Sequence, residues 1–427
     1  MRKFLSATCV FFAATVALSA NWPNWRGPTL NGVSTETGLP THWSTTQNVA
    51  WKLAMPAFSG STPIIWGDRV FLNVATGRDT GELELWAIDR NKKDVVWKRA
   101  IAGGNNFQRK QNMSSPSPVT DGKRVWVMTG VGVLKAFDFD GKEIWARDIQ
   151  KDYGYFGLNW GYASSPLLYQ NALYVQVLHG MKTDAASYVL RIDADSGKTM
   201  WRQERLTNAP RESPDSYTTP TVLTHDGRTE IIITGGDVVS GHDPASGKEL
   251  WRATILNPTG RTDYRIVASP LIAAGLIISP SRNDPLAAIR PGGSGEVAGT
   301  HVAWSFSRGP DVPTPVSDGT YLYVVNETGV VYCLNVKTGE LVYGPNRLPN
   351  DFYSASPTLA DGKIYVTGET TGITTVYKQG PAFEIIASNK LDEGCNPYCQ
   401  SSVAVSQGQL FLRTSANLWV IGERKAK

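Results

Sequence analysis

The sequence predicts an all-β fold: an eight-bladed propeller of four-stranded antiparallel blades, closed by an N-terminal strand in the last blade. Three recurring features predict it. A small turn ending in Gly leads four residues later to an outer-strand aromatic, as in Gly141 to Trp145, Gly197 to Trp201, Gly247 to Trp251 and Gly339 to Tyr343. An Asp or Asn stands seven or eight residues before the aromatic, at Asp89, Asp138, Asp193, Asp243 and Asn335. A Ser/Thr-Pro step then opens the next apolar strand, at Pro63, Pro118, Pro166, Pro220, Pro270, Pro315 and Pro357, with 42 to 55 residues between successive prolines. A degenerate eighth copy opens at Ser402-Val403. That period holds four short strands. A lone four-stranded sheet cannot bury both faces, so the units stack around an axis.

Each part of the unit has a physical reason. Asp before the turn between the third and fourth strands (C and D) accepts from backbone amides two residues on, and Gly supplies the positive φ that closes it. The aromatic covers the edge facing the next blade and buries ~150–250 Å². Asp-Gly at 121–122, 226–227, 318–319 and 361–362 marks hairpins between the first two strands, A and B. Pro at the head of strand A sits where no ladder donor is needed.

In chain order, Arg2-Lys3, an apolar run from Phe4 to Leu18 and small Ser19-Ala20 read as a secretory signal over residues 1–20, cleaved after Ser19 or Ala20. Residues 21–427 then form a single domain. Trp22-Pro23-Asn24-Trp25-Arg26-Gly27-Pro28 precedes any repeat and reads as an aromatic lid on the side or base. Asn48–Lys52 reads as a D strand with no A, B or C before it. Residues 403–405, 410–412 and 418–420 give A, B and C with no D after them, so the two ends complete one blade. The fifth blade carries Arg290-Pro291-Gly292-Gly293-Ser294-Gly295 where others have a tight turn, and the seventh lacks its aromatic. Long D-to-A connections at 102–117, 148–165 and 207–219 should crowd one rim of the central channel, where binding residues tend to sit.

Composition narrows the function classes. The 41 Gly, 25 Pro, 14 Trp and 16 Tyr suit tight turns and aromatic-capped strands, and only 19% of residues are charged. Without Arg2 and Lys3 the formal charge falls from +4 to +2, too little for nucleic acid or a membrane surface. No stretch reads as a membrane span, and a monomer is expected. Cys333 reads as a core residue on strand C, aligned with Ala87, Ala136 and Gly241. Cys395 and Cys399 enclose a three-residue loop and read as a local disulfide.

The five histidines share no metal-ligand spacing, and no phosphate loop, dinucleotide fingerprint or nucleophile elbow is found. Asp193-Ala194-Asp195-Ser196-Gly197 echoes a calcium loop but has Lys198 where Gly is needed, so it reads as a capped turn and no metal site is predicted. One constellation remains, just before the inner strands: Gln111 and Asn112, Asn159 and Trp160, Tyr217, Tyr264 and Arg265, Asp311, Phe352 and Tyr353, and Asn396 and Tyr398. In a propeller these converge on one channel mouth. Aromatic faces, amides and an Arg–Asp combination suit a planar or polyhydroxylated ligand, or a loop of a partner protein; the alternative is that they plug the channel.

The Asp…Gly-Lys-x-x-Trp turn and the Ser-x-Pro step resemble the tryptophan-docking repeats of pyrroloquinoline quinone (PQQ)-type propellers. The opening Trp-x-x-Trp-Arg-Gly-Pro and Asn-Val-Ala-Trp-Lys look like exported bacterial PQQ-binding-like β-propeller repeat proteins, over about residues 22–421. The resemblance implies one of two roles. Quinoprotein dehydrogenases of this shape hold PQQ and calcium in the channel beside a vicinal Cys-Cys disulfide, with a catalytic Asp and Glu and Asn ligands. This chain has no Cys-Cys step, and no such ligand set maps onto it. The other relatives are scaffold lipoproteins of outer-membrane assembly, which hold no cofactor. The expectation is a periplasmic or secreted binding module that recognises a partner protein or small ligand at the channel mouth. The alternative is a PQQ-dependent alcohol or sugar dehydrogenase, with PQQ and calcium as its cofactors.

Overall fold

The computed structural model describes residues 21–391 and 395–423. The signal peptide expected over residues 1–20 lies outside them. The described residues form eight four-stranded antiparallel blades in a ring, seven of them ordered A-B-C-D in chain sequence. The first blade, for example, runs Ile64–Trp66, Arg69–Ala75, Leu83–Asp89 and Asp94–Ala102. The last blade takes Ala404–Ser406, Gln409–Arg413 and Asn417–Ile421 from the C-terminal end and Val49–Ala54 from the other. Trp51 stands opposite Val420 and Leu53 opposite Leu418, so the closure expected from the two half-blades is observed. The core is divided rather than central. Trp126 and Leu134 of the second blade pack with Leu173 and Leu190 of the third, and comparable apolar layers lie between the other neighbours.

The outer aromatics hold neighbouring blades together. Trp97, Trp145, Trp201 and Trp304 donate their indole N–H to the carbonyls of Phe139, Ala194, Pro244 and Val336, at 2.9–3.1 Å. Each acceptor lies in the next blade's C–D turn. The Gly of that turn packs on the same ring: a Cβ on Gly197 would meet Trp145 at 2.6 Å. Asp138, Asp193 and Asp243 cap these turns by accepting from backbone amides. Trp251 is the exception, because the fifth blade has no tight turn to receive it. There, Gly295–Glu296 runs parallel to Trp251–Arg252 and covers the edge, and the Trp251 indole turns to Glu230 Oε2 in its own blade, 2.7 Å away.

Two devices close the middle of the ring. The Ser or Thr two residues before each strand A donates its backbone N–H to the hydroxyl of its counterpart in the next blade. The chain of donors runs Thr62, Ser117, Ser165, Thr219, Ser269, Thr314, Ser356 and Ser402, then back to Thr62, at 2.9–3.2 Å throughout. Ser402, in the copy that lost its proline, keeps its place in the ring. At the end where the A–B turns lie, the segment before Val49 crosses the channel. Trp22 pairs with Ile65 of the first blade, and Val33–Ser34 runs parallel to Leu359–Ala360 of the seventh. The buried Arg26 guanidinium donates to the carbonyls of Pro315, Pro357 and Asn31 at 2.8–2.9 Å. With no carboxylate beside it among the described residues, burial lowers its pKa to about 9. The Trp22–Pro28 stretch is therefore a base plug.

Candidate functional site

Each lead-in to strand A is extended, so alternate side chains face the axis. Two residues above the hydroxyl ring stand Gly60, Ser115, Ala163, Tyr217, Val267, Val312, Ser354 and Gln400. Together with the ring they line one cavity of about 790 Å³. Trp25 of the plug closes its floor and separates it from a smaller space of about 350 Å³ among the inner strands.

Of the residues singled out in the sequence, Gln111, Trp160, Tyr217, Arg265, Asp311, Phe352 and Tyr398 line this cavity, whereas Asn112, Asn159, Tyr264, Tyr353 and Asn396 do not. For Asn112, Tyr264 and Tyr353 the reason is the two-residue period, since of two consecutive residues in extended chain one points away; at Asn159-Trp160 the positive φ of the following Gly161 breaks that alternation. Asn112 turns back to the Phe58 carbonyl at 2.9 Å, and Asn159 to Glu212 Oε1 at 3.0 Å. The Tyr264 hydroxyl accepts from the Asn283 and Asp284 amides and donates to the Asp284 carbonyl, and Tyr353 reaches the Pro349 carbonyl. These side chains hold loops. Asn396 is exposed beside a cis peptide to Pro397. Cys395 and Cys399 are joined, with Cα atoms 5.3 Å apart, and the Tyr398 between them faces Phe58 edge-on at 6.4 Å.

The charged part of the wall was largely missed. Arg282, Glu327 and Glu369 come from the turns between strands B and C. Those turns rise to the same rim as the D-to-A loops, because strand B runs back toward it. Lys110 pairs with Glu369 at 3.1 Å, and Glu369 also accepts from Ser354 Oγ and Gln400 Nε2. Glu212 takes the Trp160 indole N–H at 2.8 Å. The guanidinium carbons of Arg109 and Arg265 lie 4.7 and 5.2 Å from the centre of the Trp160 ring. Arg282 bridges Asp263, at 2.8 Å, and Asp311, at 3.6 Å, while Arg265 stands 3.8 Å from Asp311. Asp311 Oδ1 is buried and has no hydrogen-bond partner among the described residues.

Burial pushes the Asp311 carboxyl up to about 6, helped by Glu327 and opposed by Arg265 and Arg282. Asp215, below the rim, also rises to about 6 through burial, although the Asn159 and Met181 amides oppose it. Unfolded aspartate titrates near 3.9. Both groups therefore hold extra protons in the folded state, and their contribution is full below about pH 4 and lost as pH rises through 6. Buried His242, lowered to about 4, and His179, also lowered, act in the opposite sense, their contribution being lost as pH falls below about 6.5. The two sets of groups therefore act against each other between pH 4 and 6.5. Asp311→Asn removes one of the two aspartates, and over that window its stability should rise with pH by roughly 2–3 kcal/mol relative to wild type. Urea midpoints at the two pH values measure it; identical slopes in both proteins would show that Asp311 does not titrate there.

The donors do not fit calcium. No group of three His, Cys, Asp or Glu that could hold an ion converges among the described residues, and Glu369, Asp263 and Asp311 each face a cation rather than one another. A stacked quinone would compete with two guanidiniums for the Trp160 ring.

No curated protein sequence matches the chain. Among solved structures, BamB from Moraxella catarrhalis superposes with a TM-score of 0.61 at 13% identity, covering 89% of this chain and 98% of that one. A europium-containing methanol dehydrogenase gives 0.69 at 11% identity, covering 95% and 98%. Quinohemoprotein alcohol dehydrogenase from Comamonas testosteroni gives 0.68 at 11%, covering 97% and 82%. At such identities the likeness is one of fold. A family model described as outer membrane protein assembly factor BamB matches residues 29–152, 85–297 and 282–380. The chain belongs to that family of PQQ-like repeat propellers.

Proposed function

We propose that the chain is an exported binding or scaffold propeller that recognises a partner protein or small ligand at the channel mouth. The observation that carries this reading is the 790 Å³ cavity, stopped below by Trp25 and walled by charged and aromatic side chains from separate blades. Cavities of that size with a few convergent polar groups are the usual form of a ligand site. Export is supported by the signal-like residues 2–20 and by the outer-membrane role in the matched family's description. No helix among the described residues is long and apolar enough to cross a membrane. The competing reading, a PQQ-dependent alcohol or sugar dehydrogenase, needs calcium ligands and a free carboxylate base beside the quinone. The paired carboxylates argue against it.

The test compares wild type with Trp160→Ala and Arg265→Ala in capture of a partner or ligand from the exported fraction of the source cells. Capture should drop at least about tenfold with little change in Tm, since both side chains face the cavity. Tyr264→Ala, by contrast, should destabilise, because three loop hydrogen bonds end on its hydroxyl. Unchanged capture by both cavity variants would overturn the reading. Stoichiometric PQQ uptake with calcium-dependent alcohol or sugar oxidation would replace it with the dehydrogenase.

A further inference from the structure

The ring of hydroxyls leaves eight donors unused. Each oxygen accepts one N–H from the neighbouring blade, but none of the eight donates its own proton to a protein acceptor among the described residues. All eight side chains are buried and all line the cavity. Their protons therefore face its interior and call for acceptor atoms there. Higher on the wall the demand is mixed. Asp311 is 5% exposed with an unpartnered Oδ1, which calls for a donor. Arg265, 3.8 Å away, makes no hydrogen bond within the described protein and offers donors.

We propose that the cavity binds a short neutral oligosaccharide, whose hydroxyls accept from the ring and from Arg265 and donate to Asp311. This deepens the binding reading above and rests on it. A sugar hydroxyl is both donor and acceptor, so one ligand type meets both demands. Its C–H face suits the apolar surface of Trp25 on the floor. An anionic ligand would suit the ring but would meet Glu212, Asp263, Asp311, Glu327 and Glu369. A cation would suit Asp311 but would meet Arg109, Lys110, Arg265 and Arg282. With no ligand in place, ordered water meets the same demands, and a polyol displaces it by reproducing its hydrogen bonds.

The experiment is calorimetric titration of the full chain with cellotriose, maltotriose and chitotriose, each to about 10 mM, alongside Thr219→Val, Thr219→Ser and Asp311→Leu. At least one trisaccharide should bind. Thr219→Val, which deletes a ring hydroxyl, should weaken it about tenfold, and Asp311→Leu should do the same, while Thr219→Ser stays within about twofold of wild type. If Thr219→Val does not fold, the contrast between Asp311→Leu and wild type decides. Binding indifferent to these substitutions would mean that the ring holds only water and would overturn the proposal. No binding of any trisaccharide would also overturn it. In that case Trp160-dependent capture of a protein partner would leave the broader binding reading standing, and loss of both would remove the two together.

Discussion

A chain lacking residues 21–54 should not yield soluble, folded protein. The deletion removes strand D of the last blade, Val49–Ala54, and exposes the edge formed by Asn417–Ile421. The same stretch carries the plug. Trp22, Leu39, Trp43 and Trp51 are each at most 8% exposed and belong to one apolar cluster with Phe411, Leu418 and Trp419. Burial of each such side chain contributes roughly 1.5–3 kcal/mol. Four of them approach the whole net stability of a folded domain, about 5–15 kcal/mol. The unpaired edge would also template association with other chains. Trp51→Ala is the milder form and should cost about 3–5 kcal/mol. Soluble yield and calorimetric Tm measure both; a truncated protein that melts with the full chain would refute the closure.

The fold could be read from the sequence because its markers are local: an Asp cap, a Gly turn and an aromatic at fixed spacing each encode one corner of a blade. The closure could be read because two incomplete sets of strands stood at opposite ends. The site was only half legible. Pairs such as Tyr264-Arg265 and Phe352-Tyr353 were read as joint contributors, yet extended chain sends one member to the channel and the other into the loops. Counting by twos from the Ser/Thr before strand A would have separated these two pairs, though not Asn159-Trp160. Glu327 and Glu369 were missed because turns between strands B and C carry no repeat marker. The hydroxyl ring was hidden behind the more visible prolines. Ser402-Val403 held the clue, since what persists in that degenerate copy is the hydroxyl.

The fourth blade shows where alignment of the repeats misleads. Gly241, Ala87, Ala136 and Cys333 all stand opposite the outer aromatic on strand D, at Trp251, Trp97, Trp145 and Tyr343. By sequence, Gly241→Ala is therefore a harmless change to what sister blades already carry at Ala87 and Ala136. The structure predicts the opposite. Trp97 and Trp145 lean outward onto the next blade's turn, which leaves room for a Cβ beneath them. Trp251 has no such turn and folds back over its own sheet, so a Cβ at 241 would lie 2.3–2.4 Å from the indole and 2.7 Å from Glu230 Oε2. Both groups are buried, and they are bonded to each other at 2.7 Å. Relief of the clash expels the indole, which loses its burial, roughly 2–3 kcal/mol. It also strands the Glu230 carboxylate, which costs about 1–3 kcal/mol more. The His225 and Arg228 side chains, both 3.2 Å from Glu230 Oε1, offset part of that second cost. Gly241→Ala should thus destabilise by about 3–5 kcal/mol and shift Trp251 emission to the red. Gly241→Ala combined with Trp251→Leu should recover part of the loss, because the smaller side chain clears the added methyl. Urea unfolding of the single and double variants decides it: a Gly241→Ala protein as stable as wild type would mean that Trp251 docks outward like its counterparts.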